Sequence, residues 1–196
     1  IGQPLAASAT RLIAPPNWSD WFRDPALSGG SLFDLHIHDL DFVYSLLGAP
    51  QSIYCSGIRG DGGGWDHVFT SLNYDGARAN LEASSMMPPG YPLQMAFRLS
   101  GTAGCIDFRF SAEDQVDNRN RAKTELVLYQ KGELPRHPQN NHEDGYLAEI
   151  RYFMECIKQD CHPEIATLEE ARDVIKIASA AKYSLETGTV VNLIDF

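Results

Sequence analysis

Residues 66–86, DHVFTSLNYDGARANLEASSM, indicate the fold class of this chain more clearly than any other stretch. Its centre is Asp75-Gly76, a dipeptide typical of the two-residue turn that joins the strands of a β-hairpin. Apolar and polar residues alternate on both sides, and one face of the second half is made of Ala77, Ala79, Leu81 and Ala83. Strands joined by so short a turn run antiparallel. The stretch therefore predicts a hairpin over 66–74 and 77–86 with one buried face.

The same two-residue period occurs on both sides of this hairpin. It predicts further strands over residues 4–13, 51–58, 93–100, 104–110, 125–130 and 189–194. Helical spacing predicts one helix between Ser31, a candidate cap, and Gly48, and two more helices in the last third of the chain. The sum is an α+β fold: a large open, mainly antiparallel sheet of about six to eight strands, with about three helices on one face. The polar segments 111–124 and 131–145 receive no assignment.

The two helices of the last third carry different signals. The first has an apolar face at helical spacing, made of Tyr146, Ile150, Phe153 and Ile157. The second opens with a capping box, because Thr167 is followed three residues later by Glu170. Gly188 is a typical helix end.

Length and composition place the chain among ordinary globular domains. Its 196 residues are 43% hydrophobic and 21% charged, which indicates one domain. Lys and Arg number 16 and Asp and Glu 26, so the net charge is −10, which argues against nucleic acid binding. No apolar run approaches the roughly 18 residues that cross a membrane, so no membrane association is expected. Because the chain begins with Ile1 rather than Met, we expect that an upstream segment has been removed.

The four cysteines predict a reducing compartment. They are too few for a disulfide scaffold, and none forms a C-x-x-C pair, which argues against structural zinc. Cys156 and Cys161 are expected near the end of one helix. The sequence therefore predicts reduced thiols in a cytoplasmic protein.

Chemistry-bearing residues are concentrated in the first predicted helix, at Asp34, His38 and Asp41. Their spacing places them on one polar stripe of the helix. A carboxylate one turn from His38 favours the imidazolium and orients the ring, which suits a general acid or base. The alternative is a surface helix whose first turn is acidic because of the helix dipole. The spacing alone leaves both interpretations open.

The sequence also contains partial matches to a metal site and to a dinucleotide-binding loop. Residues 34–38, DLHIH, are similar to the metal-binding strand of amidohydrolases, in which His36 and His38 would hold a divalent metal. Those enzymes need an eight-fold barrel, typically about 250 residues long, whereas the strands here are antiparallel. No metal site is therefore predicted, and a metal-dependent hydrolase is the less favoured alternative.

The glycine run Gly60–Gly64 precedes a strand rather than a helix, which argues against a dinucleotide fingerprint.

Residues 29–41, GGSLFDLHIHDLD, and residues 46–50, LLGAP, resemble a family signature. It is the G-G-x-L-x-D-x-x-x-H-x-x-D and L-x-G-x-P pattern of the glucose-fructose oxidoreductase, inositol dehydrogenase and rhizopine-catabolism (Gfo/Idh/MocA) family. Ile1-Gly2 is similar to the entry into the second domain of its members. Residues 167–193 resemble their closing helix and strand, so the resemblance covers nearly the whole chain.

The resemblance implies that residues 1–196 are one substrate-binding and oligomerisation domain with a dihydrodipicolinate reductase-like fold. The N-terminal Rossmann domain, which binds NAD or NADP in this family, would lie upstream of this chain. A Glu-Lys-Pro segment that carries the catalytic lysine of many members would lie there too. No cofactor-binding residue is therefore expected in the chain itself. Members act mostly on sugars, cyclitols and related polyols as small-molecule substrates.

The resemblance also assigns roles by position. His38 matches the family's catalytic histidine, and Asp34 matches its aspartate partner. His38 would take the proton from a substrate hydroxyl as hydride leaves the same carbon for the nicotinamide. Asp34 would orient the imidazole and contribute to proton transfer.

Four further residues are candidates for substrate binding. Arg23 corresponds to an arginine that follows tryptophan in many members, although here Phe22 separates it from Trp21. His36 stands where many members have a small residue, so it either lines the pocket or packs beneath it. Trp18 and Trp21 either stack on a sugar or anchor the loop that precedes the helix.

The predicted sheet has one face under the helices and a second face without cover. An uncovered face is normally a partner surface, and the resemblance implies a homo-oligomer formed through it. In the second hairpin strand this face carries the polar residues Arg78, Asn80 and Glu82. A catalytically silent binding or regulatory module of the same fold is the main alternative to an enzyme.

Overall fold

The computed structural model describes residues 1–15, 19–112, 122–139 and 144–196. Within them the chain forms an eight-stranded sheet in the order β7-β6-β5-β1-β4-β3-β2-β8. The strands are β1 Pro4–Leu12, β2 Ser52–Arg59, β3 Trp65–Asn73, β4 Arg78–Ser84, β5 Leu93–Gly101, β6 Gly104–Ala112, β7 Ala122–Gln130 and β8 Val191–Asn192. Among these strands, neighbours are antiparallel except β1 and β4, which run parallel. The predicted α+β fold with a large, mainly antiparallel sheet is confirmed.

The predicted hairpin joins β3 to β4. Its register pairs Leu72 with Ala79, and the backbone N–H of Tyr74 donates to the carbonyl of Ala77 at 3.1 Å. Gly76 has a φ of 77°, in the left-handed region that glycine adopts readily. Local sequence therefore determines this part of the sheet.

The parallel pair β1–β4 joins the hairpin to the far half of the sheet. Ala7 pairs with Ala79, and Ala9 pairs with Leu81, and all four side chains are buried. Small side chains at this junction let the covering helices approach the middle of the sheet. The core is therefore centred on β1–β4 and the helices above them.

The helical segments are a 3₁₀ turn Asp20–Arg23, α1 Pro25–Ser28, a π-helical turn Leu32–His36, α2 Ile37–Leu47, α3 Gly145–Gln159 and α4 Leu168–Thr187. α4 packs on β2 and on α2, and its buried Ala178, Ala180 and Ala181 permit this close contact. The predicted capping box of α4 is confirmed: the Thr167 side chain accepts the N–H of Glu170, whose carboxylate accepts the N–H of Thr167. No helix in the described parts of the chain combines the length and apolarity needed to span a membrane.

α3 differs from the expectation that the helices cover one sheet face. Its predicted apolar side chains are between 57% and 79% exposed, namely Tyr146, Ile150, Phe153 and Ile157. The helix forms as predicted, with Asp144 capping its N-terminus by accepting the N–H groups of Tyr146 and Leu147. The apolar period thus predicts the helix correctly but not what the helix packs against.

The last strand is shorter than predicted. β8 comprises Val191–Asn192, whereas the pattern predicts 189–194. The side-chain oxygen of Asn192 accepts the N–H of Ile194 at 3.1 Å. This local turn competes with the ladder and ends the strand.

Candidate functional site

The candidate site begins with a change of helix type. The sequence predicts one α-helix from Ser31, but residues Leu32–His36 form a π-helical turn that leads into α2. Ser31 already has helical dihedral angles and does not cap the helix; its hydroxyl lies 2.5 Å from that of Ser85 on the sheet side. π-Turns within helices are frequent at functional sites.

Gly29 and Gly30 bring the chain into this turn. Both have a positive φ, 78° and 71°, which side chains disfavour. A β-carbon on Gly30 would also lie 3.3 Å from the backbone nitrogen of Trp65. The glycine pair therefore lets the start of the helix lie directly against β3.

Asp34 and His38 lie on the same side of this helical segment. A π-turn holds more residues than an α-turn, so residues four apart across it lie nearly in line along the axis. Asp34 is half-buried and His38 is exposed. Burial raises the pKa of the Asp34 carboxyl, and the charge of His38 opposes this rise. The two groups are therefore electrostatically linked, as an acid–base pair requires.

His36 is fully buried, so the structure contradicts its assignment to substrate contact. Its Nε2 lies 2.8 Å from the Thr70 hydroxyl oxygen, which lies 3.1 Å from the sulfur of Cys55. Within the described residues its Nδ1 has no hydrogen-bond partner. A buried bare nitrogen costs less than a buried unpaired N–H, so the ring donates from Nε2 to Thr70. Of the two alternatives, His36 packs beneath the site.

Burial first, and the charge of Arg11 second, lower the pKa of His36 to about 3. The unfolded chain takes up this proton at about pH 6.5. A lowered folded-state pKa gives stability that is complete above the unfolded pKa and is lost as the pH falls toward the folded one. At about pH 5 the expected loss from His36 is about 2 kcal/mol.

Urea unfolding at about pH 7.5 and about pH 5 tests this expectation. The free energy of unfolding of wild type should drop between the two pH values by more than that of His36→Gln, which cannot take up the proton. Thr70→Ser, which keeps the hydroxyl, should retain the wild-type difference. An equal drop in wild type and His36→Gln would show that His36 titrates normally.

An ion pair connects β1 to α2 at Asp39, the residue that follows His38. Arg11 donates to both carboxylate oxygens of Asp39, from Nε and from Nη2, at 3.0 Å each. The Arg11 side chain is 19% exposed and that of Asp39 is 8% exposed. On the opposite side, the Tyr44 hydroxyl donates to Asp173 of α4 at 3.0 Å. These ties fix α2 relative to both the sheet and α4.

A hollow of about 270 Å³ lies beside His38, between α2 and α4. Its polar lining comes from His38, Asp41, Thr167 and Glu170, and its apolar walls include Ile37 and Ile175. The residues of α4 follow α2 by more than a hundred positions. Spacing within one helix could not reveal them, and their capping box signals only a helix start.

The loop before the glycines carries the other predicted contacts. Trp21 lies in a 3₁₀ turn, Asp20–Arg23, is 43% exposed and makes an edge contact with Phe22, with ring centroids 5.1 Å apart. It is thus partly available to a ligand. The backbone of Arg23 closes this turn, but its side chain lies outside the described part of the structure. Trp18 also lies outside the described residues.

The metal alternative finds no support in the geometry. Residues 34–38 are helical rather than a strand, so His36 points into the core while His38 is exposed. Among the described residues, no group of three or more His, Cys, Asp or Glu side chains is arranged to hold a metal ion.

Comparison with known proteins places this geometry in context. A sequence model described as the GFO/IDH/MocA C-terminal domain matches residues 1–107. D-xylose 1-dehydrogenase (NADP(+)) 2 of Haloferax volcanii is 26% identical over 196 residues, which is 98% of this chain and 57% of that protein. The chain therefore spans little more than half the length of this curated relative.

Solved structures share the fold. An aldose-aldose oxidoreductase from Caulobacter crescentus, complexed with glycerol, superposes with a TM-score of 0.78 at 18% identity, over 97% of this chain and 56% of that one. A UDP-N-acetylglucosamine 3-dehydrogenase from Acidithiobacillus ferrooxidans gives 0.70 at 24% identity, over 94% and 54%. Because the sequence model covers more than half of the residues, and the folds agree, the chain belongs to the GFO/IDH/MocA C-terminal domain family.

Proposed function

We propose that this chain is the substrate-binding and catalytic-histidine half of an NAD(P)-dependent oxidoreductase that acts on a sugar, cyclitol or related polyol. The observation that carries the proposal is the pairing of exposed His38 with half-buried Asp34 beside an open hollow. The activity named for the xylose-oxidising relative supports the substrate class. Hydride transfer is the reaction class.

His38 performs the proton transfer in this proposal. Its exposed imidazole binds the substrate hydroxyl, accepts the proton of that hydroxyl, and returns it in the reverse direction. Asp34 stabilises the imidazolium that forms, because a nearby carboxylate favours the charged ring. Asp41 and Glu170 offer carboxylate oxygens to further hydroxyls in the hollow, a role suited to a polyol.

The glycine run of this chain does not suit a nicotinamide dinucleotide. Residues Gly60–Gly64 form the turn between β2 and β3, with Gly60 and Gly64 joined by a backbone hydrogen bond of 3.0 Å. A dinucleotide loop must instead lead into a helix whose N-terminus holds the pyrophosphate. NAD or NADP, which supplies the hydride acceptor, is therefore proposed to sit on an N-terminal Rossmann domain.

Calorimetry and a turnover assay test the proposal together. This chain alone should not bind NAD or NADP measurably, because its run Gly60–Gly64 joins two strands instead of leading into a helix. The full-length protein should reduce one of the two cofactors with an aldose, cyclitol or polyol. Micromolar binding by the isolated chain would contradict the assigned location of the cofactor. A full-length protein that binds cofactor but oxidises no such substrate would favour the catalytically silent alternative.

We also propose that the open sheet face joins copies of the chain into a homo-oligomer. Arg78, Asn80 and Glu82 make part of this face polar, as expected, but β2 and β3 add exposed apolar side chains. They are Tyr54, Ile58 and Phe69, each between 41% and 54% exposed. A face with aromatic residues among polar ones is typical of protein interfaces.

Sedimentation velocity tests the oligomer. Tyr54→Lys places a charge on the open face, where its cross-strand neighbour is Ser71 rather than a carboxylate. It should convert the oligomer to monomers, because the charge would be buried without a partner. Ile150→Lys, on the exposed face of α3, is the matched control and should leave the assembly intact. An oligomer that dissociates only with the α3 variant would assign assembly to that helix instead.

A further inference from the structure

The C-terminus of α3 is a complete Schellman motif. The helix ends at Gln159, and Asp160 follows in the left-handed conformation with a φ of 51°. The N–H of Asp160 donates to the carbonyl of Ile157 at 3.3 Å, and that of Cys161 donates to the carbonyl of Cys156 at 3.0 Å. These two bonds define the motif, which satisfies carbonyls at the helix end.

This motif brings two particular side chains together. In this motif the residue three positions before the last helical residue, here Gln159, usually packs against the second residue after it. This contact is most often apolar. Here these positions are Cys156 and Cys161, so the contact is between two thiols. The pKa of Cys161 lies above its ordinary value through desolvation and, next, through a hydrogen bond with the Cys156 thiol. Backbone and side-chain observations thus agree that the thiols are neighbours.

The two cysteines differ in accessibility. Cys156 is buried, whereas Cys161 is exposed. A reagent in solution can therefore reach Cys161 first, and Cys156 is placed to attack whatever forms on its neighbour. Cys55 and Cys105 lie on the sheet, outside this motif.

We propose that Cys156 and Cys161 are a thiol modification site that forms a reversible intramolecular disulfide, with a low-molecular-weight disulfide as the oxidant. The Cys161 thiolate attacks one sulfur of oxidised glutathione, forms a mixed disulfide and releases one glutathione thiolate. The Cys156 thiolate then attacks the Cys161 sulfur and releases the second glutathione. Two protein thiols are oxidised, one disulfide is reduced to two thiols, and both protons remain with water or the glutathione products.

The effect of this bond is expected to be local. The closed loop is short, so the bond restricts the unfolded chain less than a bond across a long loop would. It does fix the last turn of α3, a helix whose apolar face is exposed among the described residues. Hydrogen exchange in that turn should slow, while exchange in β1–β4 should stay unchanged.

Mass spectrometry tests the proposal on this chain directly. The protein is incubated with oxidised glutathione at about pH 9.5, because the raised pKa of Cys161 requires a higher pH for its thiolate to form. It is then alkylated under denaturing conditions and digested. We expect the peptide with Cys156 and Cys161 to lose two hydrogens and escape alkylation, while Cys55 and Cys105 are alkylated. Cys156→Ser should instead retain glutathione on Cys161. Wild type that also retains glutathione on Cys161, with Cys156 alkylated, would overturn the proposal.

A pair of cap variants tests the geometric cause. Asp160→Gly tolerates the left-handed conformation and should keep or increase the rate of disulfide formation. Asp160→Val disfavours that conformation and should slow the second step, so that the mixed disulfide accumulates. Equal rates in both variants would show that the Schellman motif does not set the pairing.

Discussion

His38→Ala should lower kcat of the proposed full-length oxidoreductase by roughly 10²–10⁴-fold, the usual contribution of general acid–base catalysis. His38 is exposed at the rim of the hollow between α2 and α4, where a substrate hydroxyl can reach its ring. Alanine removes the proton acceptor without disturbing the core, because the side chain contributes little to packing. Steady-state kinetics of the variant with the best polyol substrate give the measurement.

Two further variants separate catalysis from folding. Asp34→Asn keeps the shape but removes the charge that stabilises the imidazolium, so kcat should fall by less than in His38→Ala. Ser45→Ala lies further along α2, where the hydroxyl donates to the backbone carbonyl of Phe42, and should leave kcat unchanged. An unchanged kcat in His38→Ala would remove His38 from the proton transfer and show that another group accepts the proton.

The sequence predicts best what short-range chemistry determines. The turn at Asp75-Gly76 needs only its own residues, and the capping box of Thr167 and Glu170 spans one turn. Both were predicted correctly, as was the position of His38 on a helix. Each of these features depends on residues within one element.

Long-range contacts could not be predicted in the same way. The parallel pairing of β1 with β4 joins segments about seventy residues apart, and no local period encodes it. The burial of His36 depends on Thr70 of β3, which offers a hydroxyl where the helix meets the sheet. The π-turn also depends on a long-range contact. The Ser31 hydroxyl bonds to that of Ser85 instead of capping an α-helix, and the helix therefore begins differently from the prediction. These features require the packed structure.

The Arg11–Asp39 pair leads to the largest expected loss of stability. Arg11→Ala removes the guanidinium partner of Asp39, whose side chain is 8% exposed in the intact pair. Removing one member of a buried ion pair costs about 3–5 kcal/mol, because the remaining charge stays desolvated. Urea unfolding at neutral pH should show this decrease in the free energy of unfolding. Lys182→Ala, which breaks an exposed pair with Glu186, should cost about 0.3–0.5 kcal/mol.

A double variant identifies the cause of the loss. Arg11→Met with Asp39→Leu removes both charges and fills similar volume, so much of the stability should return; such replacements are often neutral or stabilising by about 1–4 kcal/mol. Met95 and Phe42, which line the apolar groove beside the pair, would then contact apolar groups. If Arg11→Ala costs no more than Lys182→Ala, the pair does not anchor α2. If Arg11→Ala is destabilising and the double variant is not, the isolated charge of Asp39 causes the loss, and α2 can be held on β1 by packing alone.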